Sequence, residues 1–301
     1  MKARKIVLLS LIAILLCVYI VQIASVNRGS VKQVTLSDEP DKFILESAVN
    51  GKVVLSKKDG VWYLGENQQY ETLESEVNIL INAMSSYSIL QTVSKGGDEI
   101  LYGLDDESKI SVSAYLGDTV LCAFDVGKDA SSVRQSYIRR ADSSDILLVS
   151  DSFNSVFNIT PDDVRVRTVY SCDSNTIKQA FLITKDVGVI QMVCNEEGEW
   201  GGFINGEYQE NMTSDGIESW IASISILNSA GWLPDDYQPS ADAVGVIMFQ
   251  MEDGTSITDS IYPVEGEEGR YIGQSSVCPY AFYMSEYTVG KFLRSADDFS
   301  E

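Results

Sequence analysis

Residues 53–64 read VVLSKKDGVWYL, and residues 189–203 read VIQMVCNEEGEWGGF. Each stretch places two β-rich runs around a polar turn, which contains Gly60 in the first stretch and Gly198 in the second. Glycine readily adopts the positive φ that a tight hairpin turn requires. We therefore predict one hairpin of the same kind in each half of the chain.

An amphipathic helix is predicted after each hairpin, because apolar residues recur at the positions i, i+3, i+4, i+7 and i+10. The two series are Val77, Leu80, Ile81, Met84 and Tyr87, and then Ile217, Trp220, Ile221, Ile224 and Leu227. Later strand-like runs also recur in the same order. These correspondences predict a tandem repeat, in which each copy has the element order β-β-α-β-β-β. The predicted fold class is α+β, with a mostly antiparallel sheet covered by one helix in each repeat.

The repeat divides the chain into five predicted segments. They are a cytoplasmic tip and transmembrane anchor (1–26), a tether (27–42), the first repeat (43–167), a connecting segment (168–185) and the second repeat (186–301). Within the connecting segment, residues 172–183 (CDSNTIKQAFLI) are able to pair with the second sheet.

The composition is that of a folded protein and excludes several classes of function. Of 301 residues, 45% are hydrophobic and 22% are charged, so neither disorder nor a polytopic membrane protein fits. The formal net charge of −22 argues against binding to nucleic acid or to an anionic lipid surface. Histidine is absent, which excludes His-based catalytic triads and His-ligated zinc.

The N-terminus predicts a membrane anchor. Residues 6–24 form an uncharged run of 19, which as a helix nearly matches the hydrocarbon core. Lys2, Arg4 and Lys5 precede it, so the positive-inside rule places the rest of the chain outside the cytoplasm. The alternatives are a cleaved signal peptide, which usually has a shorter apolar region, and a lipoprotein signal, for which the residue before Cys17 is unsuitable. We expect a single-pass protein of the cell membrane with its C-terminal part extracytoplasmic.

Four cysteines follow the anchor: Cys122, Cys172, Cys194 and Cys278. Four cysteines allow three disulfide connectivities, and the sequence selects none of them. We favour free thiols, because Cys122 and Cys194 lie in apolar strand-like runs where cysteine acts as a small hydrophobic residue. The absence of a CxxC pair gives no support for a zinc or thioredoxin-type site.

No catalytic motif is present. The chain lacks a G-x-S-x-G elbow, a Walker A loop, an EF-hand loop and a Ser-x-x-K pair, which are the patterns that place a nucleophile, cradle phosphate or bind calcium. Its acidic doublets, such as Asp105-Asp106, lie mostly beside Gly or Pro and are typical of solvated turns. We expect no enzymatic activity, no cofactor and no metal.

Four residues are candidates for binding. Trp62 and Trp200 are able to form a stacking platform for a glycan or a peptide, or else to fill the core between hairpin and helix; their recurrence favours packing. Arg165 and Arg167 alternate on one face of a predicted strand, DDVRVRTVY. There they are expected to pair with carboxylates within the protein or on a partner.

The order of motifs resembles a known bacterial family. DGVWYL (59–64), an amphipathic helix, LYGLD (101–105), a β-pair, YIR (137–139) and VRVR (164–167) follow one another along the chain. This is similar to the membrane-anchored, tandem-repeat domain of unknown function found beside gliding-motility-type (ABC-2) ABC transporter components. The resemblance covers residues 43–182 best and implies an exported auxiliary subunit of an ABC-2-type transport system.

Two functions are therefore considered. The first is a non-enzymatic, membrane-anchored extracytoplasmic accessory protein that binds an ABC transporter permease or associated envelope proteins. The alternative is a cell-envelope module that binds glycan or peptide through Trp62 and Trp200.

Overall fold

A computed structural model describes residues 14–19, 31–131, 134–185 and 187–300. The chain divides into two compact units, Met1–Val166 and Arg167–Glu301. Each is built on a large antiparallel sheet with a few helices. This confirms the predicted α+β class.

The predicted anchor, residues 6–24, lies outside the described residues except for 14–19, which are helical and exposed. Among the residues that the structure describes, no helix has the length and apolar character needed to span a membrane. The predicted tether, residues 27–42, differs from the structure where it is described, because Lys32–Thr35 form the first strand and pair with a later one.

The first unit contains a sheet of ten described strands. They are β1 (Lys32–Thr35), β2 (Lys42–Ser47), β3 (Gly51–Lys58), β4 (Val61–Leu64), β5 (Tyr70–Glu71), β6 (Ser86–Ser94), β7 (Ile110–Leu116), β8 (Thr119–Asp129), β9 (Ser136–Arg140) and β10 (Ile146–Val149). The helices are α1 (Glu74–Ser85), α2 (Glu99–Tyr102), α3 (Phe153–Phe157) and α4 (Pro161–Val164). The strand order is β1-β6-β10-β9-β8-β7-β2-β3-β4-β5.

Helix α1 buries the predicted apolar stripe through Val77, Leu80 and Met84. The stripe was expected to continue to Tyr87, but Tyr87 belongs to β6. The helix ends at Ser85, and the next residue, Ser86, is extended with φ −159°. The β-prone run SYSIL then takes the chain into the sheet, so Tyr87 reaches the same core from a strand.

An aromatic cluster closes the core of this unit. The ring of Phe153 in α3 lies 5.2 Å from that of Tyr87, 5.5 Å from that of Phe124 and 5.3 Å from that of Phe157, measured between centroids. Phe153 is fully buried. Aromatic pairs at these separations add to the free energy gained from burial. Helix α3, which the sequence did not indicate, therefore covers part of the sheet beside α1.

The second unit has a nine-stranded sheet and a separate two-stranded one in its described part. The strands are β11 (Thr168–Ser171), β12 (Ile177–Thr184), β13 (Gly188–Cys194), β14 (Trp200–Ile204), β15 (Glu207–Tyr208), β16 (Ile226–Asn228), β17 (Gly231–Trp232), β18 (Gly245–Met251), β19 (Ser256–Pro263), β20 (Arg270–Ser275) and β21 (Cys278–Ser285). The α-helices are α5 (Ser214–Ile224) and α6 (Glu286–Phe292). The large sheet has the order β15-β14-β13-β12-β18-β19-β20-β21-β17, and β11 pairs with β16.

Helix α5 is fixed at its start and along its buried face. The Thr213 hydroxyl accepts a hydrogen bond from the backbone N–H of Gly216 at 3.1 Å, which caps the helix. The buried residues Ile217, Trp220, Ile221 and Ile224 are the first four of the predicted stripe. The fifth, Leu227, is also buried but belongs to β16, because the helix ends at Ile224. Trp220 also donates its indole N–H to the carbonyl of Lys291 at 2.8 Å, so this large side chain is buried without an unsatisfied donor.

The two large sheets follow the same chain path. One runs β5-β4-β3-β2-β7-β8-β9-β10, and the other runs β15-β14-β13-β12-β18-β19-β20-β21. The strand that opens each unit also pairs with the strand that follows the long helix, as β1 with β6 and β11 with β16.

The segment predicted as a connection, residues 168–185, contributes β11 and β12 to the second unit. Strand β12 pairs with both β13 and β18, so it lies inside the sheet, as the run CDSNTIKQAFLI allowed. Its counterpart in the first unit is β2. The predicted order β-β-α-β-β-β therefore lacks the strand that precedes each hairpin. It also has too few strands after the helix, where the structure has five (β6–β10) and six (β16–β21).

We predict that Phe153→Ala lowers the free energy of unfolding by about 3–4 kcal/mol, because it removes the centre of a fully buried aromatic cluster. Urea denaturation of the full chain measures this. Ser155→Ala, which alters an exposed position of the same helix, is the matched control and should change stability by about 0.5 kcal/mol or less. Equal effects of the two substitutions would contradict the packing role of α3.

Candidate functional site

Trp62 lies inside the first unit. Its side chain is 6% exposed, and its ring stacks on Phe43 with centroids 5.4 Å apart. The Lys57 ammonium lies 5.9 Å from the ring centroid. A stacking platform needs an exposed ring face, whereas this ring packs in the hydrophobic core.

Trp200 begins β14 and lies opposite Cys194 in β13. It is half-buried and packs against the core of the second unit. Its backbone N–H donates to the Ser214 hydroxyl at 2.9 Å, which joins the hairpin to the start of α5. The two tryptophans thus occupy corresponding strands, β4 and β14, in different units.

Arg165 and Arg167 do not share a strand face. The first three residues of the predicted strand, 162–164, are helical. Pro161 opens this turn, in which the Asp163 carboxylate accepts from the N–H of Thr160 at 2.8 Å. Arg165 is 7% exposed, and its guanidinium lies 3.7 Å from the ring centroid of Tyr70. Arg167 is exposed and belongs to the second unit. Arg165 is therefore placed for packing inside the first unit.

A cleft of about 470 Å³ opens in the first unit. We call it the first-unit cleft. It is lined by Val34, Leu36, Tyr87, Cys122, Arg140 and Asp142, among others. Its walls are the segment that joins β1 to β2, the strand β8 and the turn after β9. Arg140 and Asp142 form an ion pair at 2.7 Å, so the two opposite charges in this lining balance.

A cleft of about 590 Å³ opens in the second unit. We call it the second-unit cleft. It is lined by Cys172, Thr176, Met251, Glu252, Ile257 and Val277, among others. Its volume is within the usual range for ligand sites, and such sites are mostly apolar with a few polar groups. The backbone N–H of Glu252 donates to the carbonyl of Thr176 at 2.7 Å, so two of its walls are held together.

The two clefts occupy the same place in the two chain paths. Each is lined by three parts of its unit. In the first unit these are the segment before β2, the hairpin β7–β8 and the turn between β9 and β10. In the second unit they are the segment before β12, the hairpin β18–β19 and the turn between β20 and β21. Their chemistry differs, because the lining of the second-unit cleft has two carboxylates, Glu252 and Asp253, and no basic residue. Hydrogen bonds from Thr255 lower the pKa of Asp253, so this carboxylate is ionised at neutral pH.

A buried carboxyl group lies close to Cys172, which lines the second-unit cleft. Asp259 is 2% exposed, and its Oδ2 lies 2.8 Å from the Tyr170 hydroxyl. That hydroxyl is also 3.2 Å from the carbonyl of Ile224. The single proton of the Tyr170 hydroxyl cannot be donated to both acceptors. If Asp259 is protonated, its carboxyl group donates to the Tyr170 oxygen, and the Tyr170 hydroxyl donates its own proton to the carbonyl of Ile224. The geometry therefore favours the neutral acid.

Burial raises the pKa of Asp259 to about 6, against the opposing influence of the Ser275 and Tyr170 hydroxyls. Ser275 faces Asp259 across the β19–β20 pairing, but neither its hydroxyl nor Asp259 Oδ1 completes a hydrogen bond of good geometry among the described residues. Burial, with the nearby Asp259 charge as a further cause, also raises the pKa of the Tyr170 hydroxyl.

The cysteines are free thiols: Cys17, Cys122, Cys172, Cys194 and Cys278. Burial raises the pKa of Cys122 to about 11, and it also raises the pKa of Cys172. A thiol is nucleophilic only as thiolate, so neither of these groups is activated at neutral pH. Across residues 14–19, 31–131, 134–185 and 187–300, no three acidic or cysteine side chains gather as a set of metal ligands.

An apolar knob projects from the first unit. Ile100 and Leu101, consecutive residues of α2, are 82% and 60% exposed. Leu101 begins the LYGLD run, which was noted in the sequence only as a family motif, and Ile100 directly precedes it. We call Ile100 and Leu101 the apolar knob. Covering these two adjacent aliphatic side chains with another surface would remove apolar area from water, which is favourable.

The backbone around the knob is fixed. Gly103 has φ +68°, and Leu104, which is 1% exposed, anchors the turn. A Cβ on Gly127 would lie 2.2 Å from the carbonyl oxygen of Tyr102, so β8 and the knob turn are in direct backbone contact. The knob is therefore a preformed surface feature.

Comparison with known proteins assigns the family. A family model described as "Domain of unknown function (DUF4340)" matches residues 62–243, more than half of the chain. The chain belongs to this family. A search of curated proteins gave no match. A search of solved structures gave none either.

The DUF4340 match covers the apolar knob and all four candidate residues, Trp62, Arg165, Arg167 and Trp200. It ends before β18, so most of the second-unit cleft lies beyond it. The sequence carried a signal for the knob, namely two aliphatic residues beside the turn-forming Gly103. It carried none for the clefts, which form from segments far apart in the chain.

We predict that Trp62→Ala lowers the free energy of unfolding of this DUF4340 protein by about 3–4 kcal/mol, because the indole fills a buried site against Phe43. Chemical denaturation provides the measurement, with Val61→Ala, at the 49% exposed neighbouring position, as the control. A variant as stable as the wild type would return Trp62 to consideration as a binding residue.

A second prediction concerns the pH dependence of stability. The pKa of Asp259 is higher in the folded chain than its usual value near 4, so folding favours its protonated form. Its contribution to stability is therefore complete in acid and is lost as the pH rises from about 4 to about 6. Asp259→Asn keeps a neutral group, so it should be more stable than the wild type by on the order of 2 kcal/mol above pH 6.5, with little difference near pH 4.

The measurement is the difference in urea midpoint between the two proteins at several pH values. Ser260→Ala, at the next position of β19, which lies outside the buried pair, is the control. A difference between Asp259→Asn and the wild type that does not change between pH 4 and 7 would show that Asp259 is ionised throughout.

Proposed function

We propose that this DUF4340 chain is a non-enzymatic, membrane-anchored extracytoplasmic accessory protein, an auxiliary subunit of an ABC-2-type transporter assembly that acts by binding other proteins. The apolar run at residues 6–24, with the basic residues before it, supports a single-pass anchor. The proposal places the C-terminal part outside the cell membrane. The partner is a transporter permease or an associated envelope protein.

The observation that carries the proposal is the apolar knob. Ile100 and Leu101 are highly exposed, while the turn that holds them is fixed by Leu104 and by the contact between Gly127 and Tyr102. A rigid apolar projection loses little conformational entropy when a partner covers it, so more of the burial free energy remains as affinity.

The charge around the knob favours a protein partner over a lipid surface. Residues 98–107 carry five carboxylates and no basic side chain. Glu99 and Asp106 pair with Arg139 and Lys109, which leaves Asp98, Asp105 and Glu107 outside these ion pairs. Anionic lipid headgroups would repel this stretch, whereas a protein pocket with basic residues at its edge would complement it. The partner site is accordingly apolar at its centre and basic at its rim.

A tandem duplication of the two units is part of the proposal. The equal strand orders, the matching pairs β1–β6 and β11–β16, and the two clefts at one place in the chain path all support it. The knob has no equivalent in the sequence of the second unit, where LPDDY (233–237) replaces LYGLD. Duplication followed by divergence would leave each unit with its own contact surface.

The alternative function, glycan or peptide binding through Trp62 and Trp200, gains no support from the buried position of Trp62. We therefore do not carry it further in that form.

The test is photocrosslinking in native membranes with the full chain. A photoreactive residue at Leu101 should give an adduct that mass spectrometry identifies as a transporter permease or an associated envelope protein. The same residue at Val49, which is 83% exposed and lies in the β2–β3 turn, should not. Combined Ile100→Ser and Leu101→Ser should reduce co-purification of that partner at least tenfold, since each aliphatic side chain contributes roughly 1.5–3 kcal/mol when buried.

Recovery of the protein alone, with no transporter component after crosslinking, would overturn the proposed function. Equal adducts from positions 49 and 101 would overturn the role of the knob while leaving an assembly possible.

A further inference from the structure

The second-unit cleft has a preformed apolar lining. Met251, at the end of β18, and Ile257, near the start of β19, are buried. Cys172 also lines the cleft and is half-buried. The Cys172 N–H donates to the carbonyl of Ser225 at 2.9 Å, and the Glu252 N–H donates to that of Thr176 at 2.7 Å. The first bond holds Cys172 in place, and the second joins two segments of the lining.

Val277 is an unusual residue for its position. It lies with Ser276 in the two-residue turn between β20 and β21, where glycine, asparagine or aspartate is common. It is 48% exposed and lines the cleft. Ser276 binds the turn to Thr258 twice, by its N–H at 2.8 Å and its hydroxyl at 2.9 Å. The turn thus holds a β-branched apolar side chain at the mouth of the cleft, although valine is not a residue that this kind of turn favours.

The first unit gives an internal comparison. The corresponding turn, between β9 and β10, carries Asp142, Ser143 and Ser144, and the first-unit cleft contains a balanced Arg140–Asp142 pair. Apolar residues such as Val34, Leu36 and Leu121 also line the first-unit cleft. The uncompensated carboxylates are particular to the second-unit cleft, and the shared chain path does not require them.

The charge of the cleft has one sign. Glu252 and the ionised Asp253 lie at the β18–β19 turn, and residues 167–301 contain 22 acidic and six basic side chains. An apolar site with acidic groups at its edge complements an apolar group flanked by positive charge. Apolar burial would supply the affinity, and the carboxylates would select the sign of the charge.

We propose that the second-unit cleft binds a short peptide segment of a partner protein, in which apolar side chains are flanked by lysine or arginine. This rests on the proposed function, because peptide segments of partner proteins are the ligands expected for a protein that acts by binding other proteins. The apolar side chains contact Met251, Ile257 and Val277, and the basic groups face Glu252 and Asp253. The cleft is a second contact, separate from the apolar knob of the first unit.

The test uses the full chain in a zwitterionic detergent and three labelled, end-capped tetrapeptides followed by fluorescence anisotropy. Lys-Leu-Phe-Lys should bind at least tenfold more tightly than Glu-Leu-Phe-Glu, which reverses the charge, and than Lys-Ser-Ser-Lys, which removes the apolar part. Its affinity should fall as salt is added, because the contribution of exposed charges is screened.

Two substitutions locate the site. Val277→Lys should weaken binding of Lys-Leu-Phe-Lys at least tenfold, and Glu252→Gln should weaken it about threefold. The matched control for charge is Asp118→Asn, in the β7–β8 turn that corresponds to the turn of Glu252; the control for an exposed valine is Val49→Ser. Neither control should change the affinity. If Val277→Lys fails to fold by circular dichroism, Val277→Ser replaces it, with a loss of about fivefold expected.

Three outcomes would overturn the inference. They are equal binding of all three peptides, an unchanged affinity in the Val277 and Glu252 variants, and an equal loss in Asp118→Asn, which would indicate attraction to the overall charge. Partition of the peptide into detergent alone, seen without protein, would count against it in the same way. If the peptides fail to bind selectively but the crosslinks from position 101 to a transporter component are retained, the peptide-binding role of the cleft is wrong and the proposed function stands. If the peptides bind selectively but no transporter component is crosslinked, the cleft binds peptide and the proposed transporter partner is wrong.

Discussion

The apolar face of each large sheet has to be covered, and one helix provides much of that cover. This helix is α1, which follows β5, in the first unit and α5, which follows β15, in the second. An antiparallel sheet with one bare apolar face is not stable in water. In the first unit α1 inserts Val77, Leu80 and Met84, and in the second α5 inserts Ile217, Trp220 and Ile224. The clefts are lined by strands and turns outside these two helices.

The parts of the fold that the sequence predicted are those with local signals. The hairpins around Gly60 and Gly198 and the stripes of both helices rest on residues within about 15 positions of each other. The position of a strand within its sheet depends instead on distant partners. Strand β12 lies between β13 and β18, and nothing inside residues 177–184 indicates where its second neighbour is. For the same reason Tyr87 fitted a helical stripe and yet folds into β6.

The candidate residues show the same limit. Trp62 and Trp200 recur in the sequence and lie in β4 and β14, but only packing against Phe43 reveals that the Trp62 ring is covered. Alternation of Arg165 and Arg167 suggested one face, whereas Pro161 and Asp163 impose a helical turn just before them. The apolar knob and the second-unit cleft were not predicted, because exposure and concavity are properties of the assembled chain. Exposed apolar side chains, Ile100 and Leu101 in the knob and Val277 in the cleft, mark both surfaces.

The ends of the sheets are short. Strands β5, β15 and β17 have two residues each, and β1, at the remaining edge, has four and begins with a lysine. Long unpaired edges act as templates on which other chains add as further strands. A molecule with such abbreviated edges resists aggregation through its backbone, even when many copies are concentrated on one surface. It can therefore expose apolar side chains for recognition without also inviting the growth of intermolecular sheets.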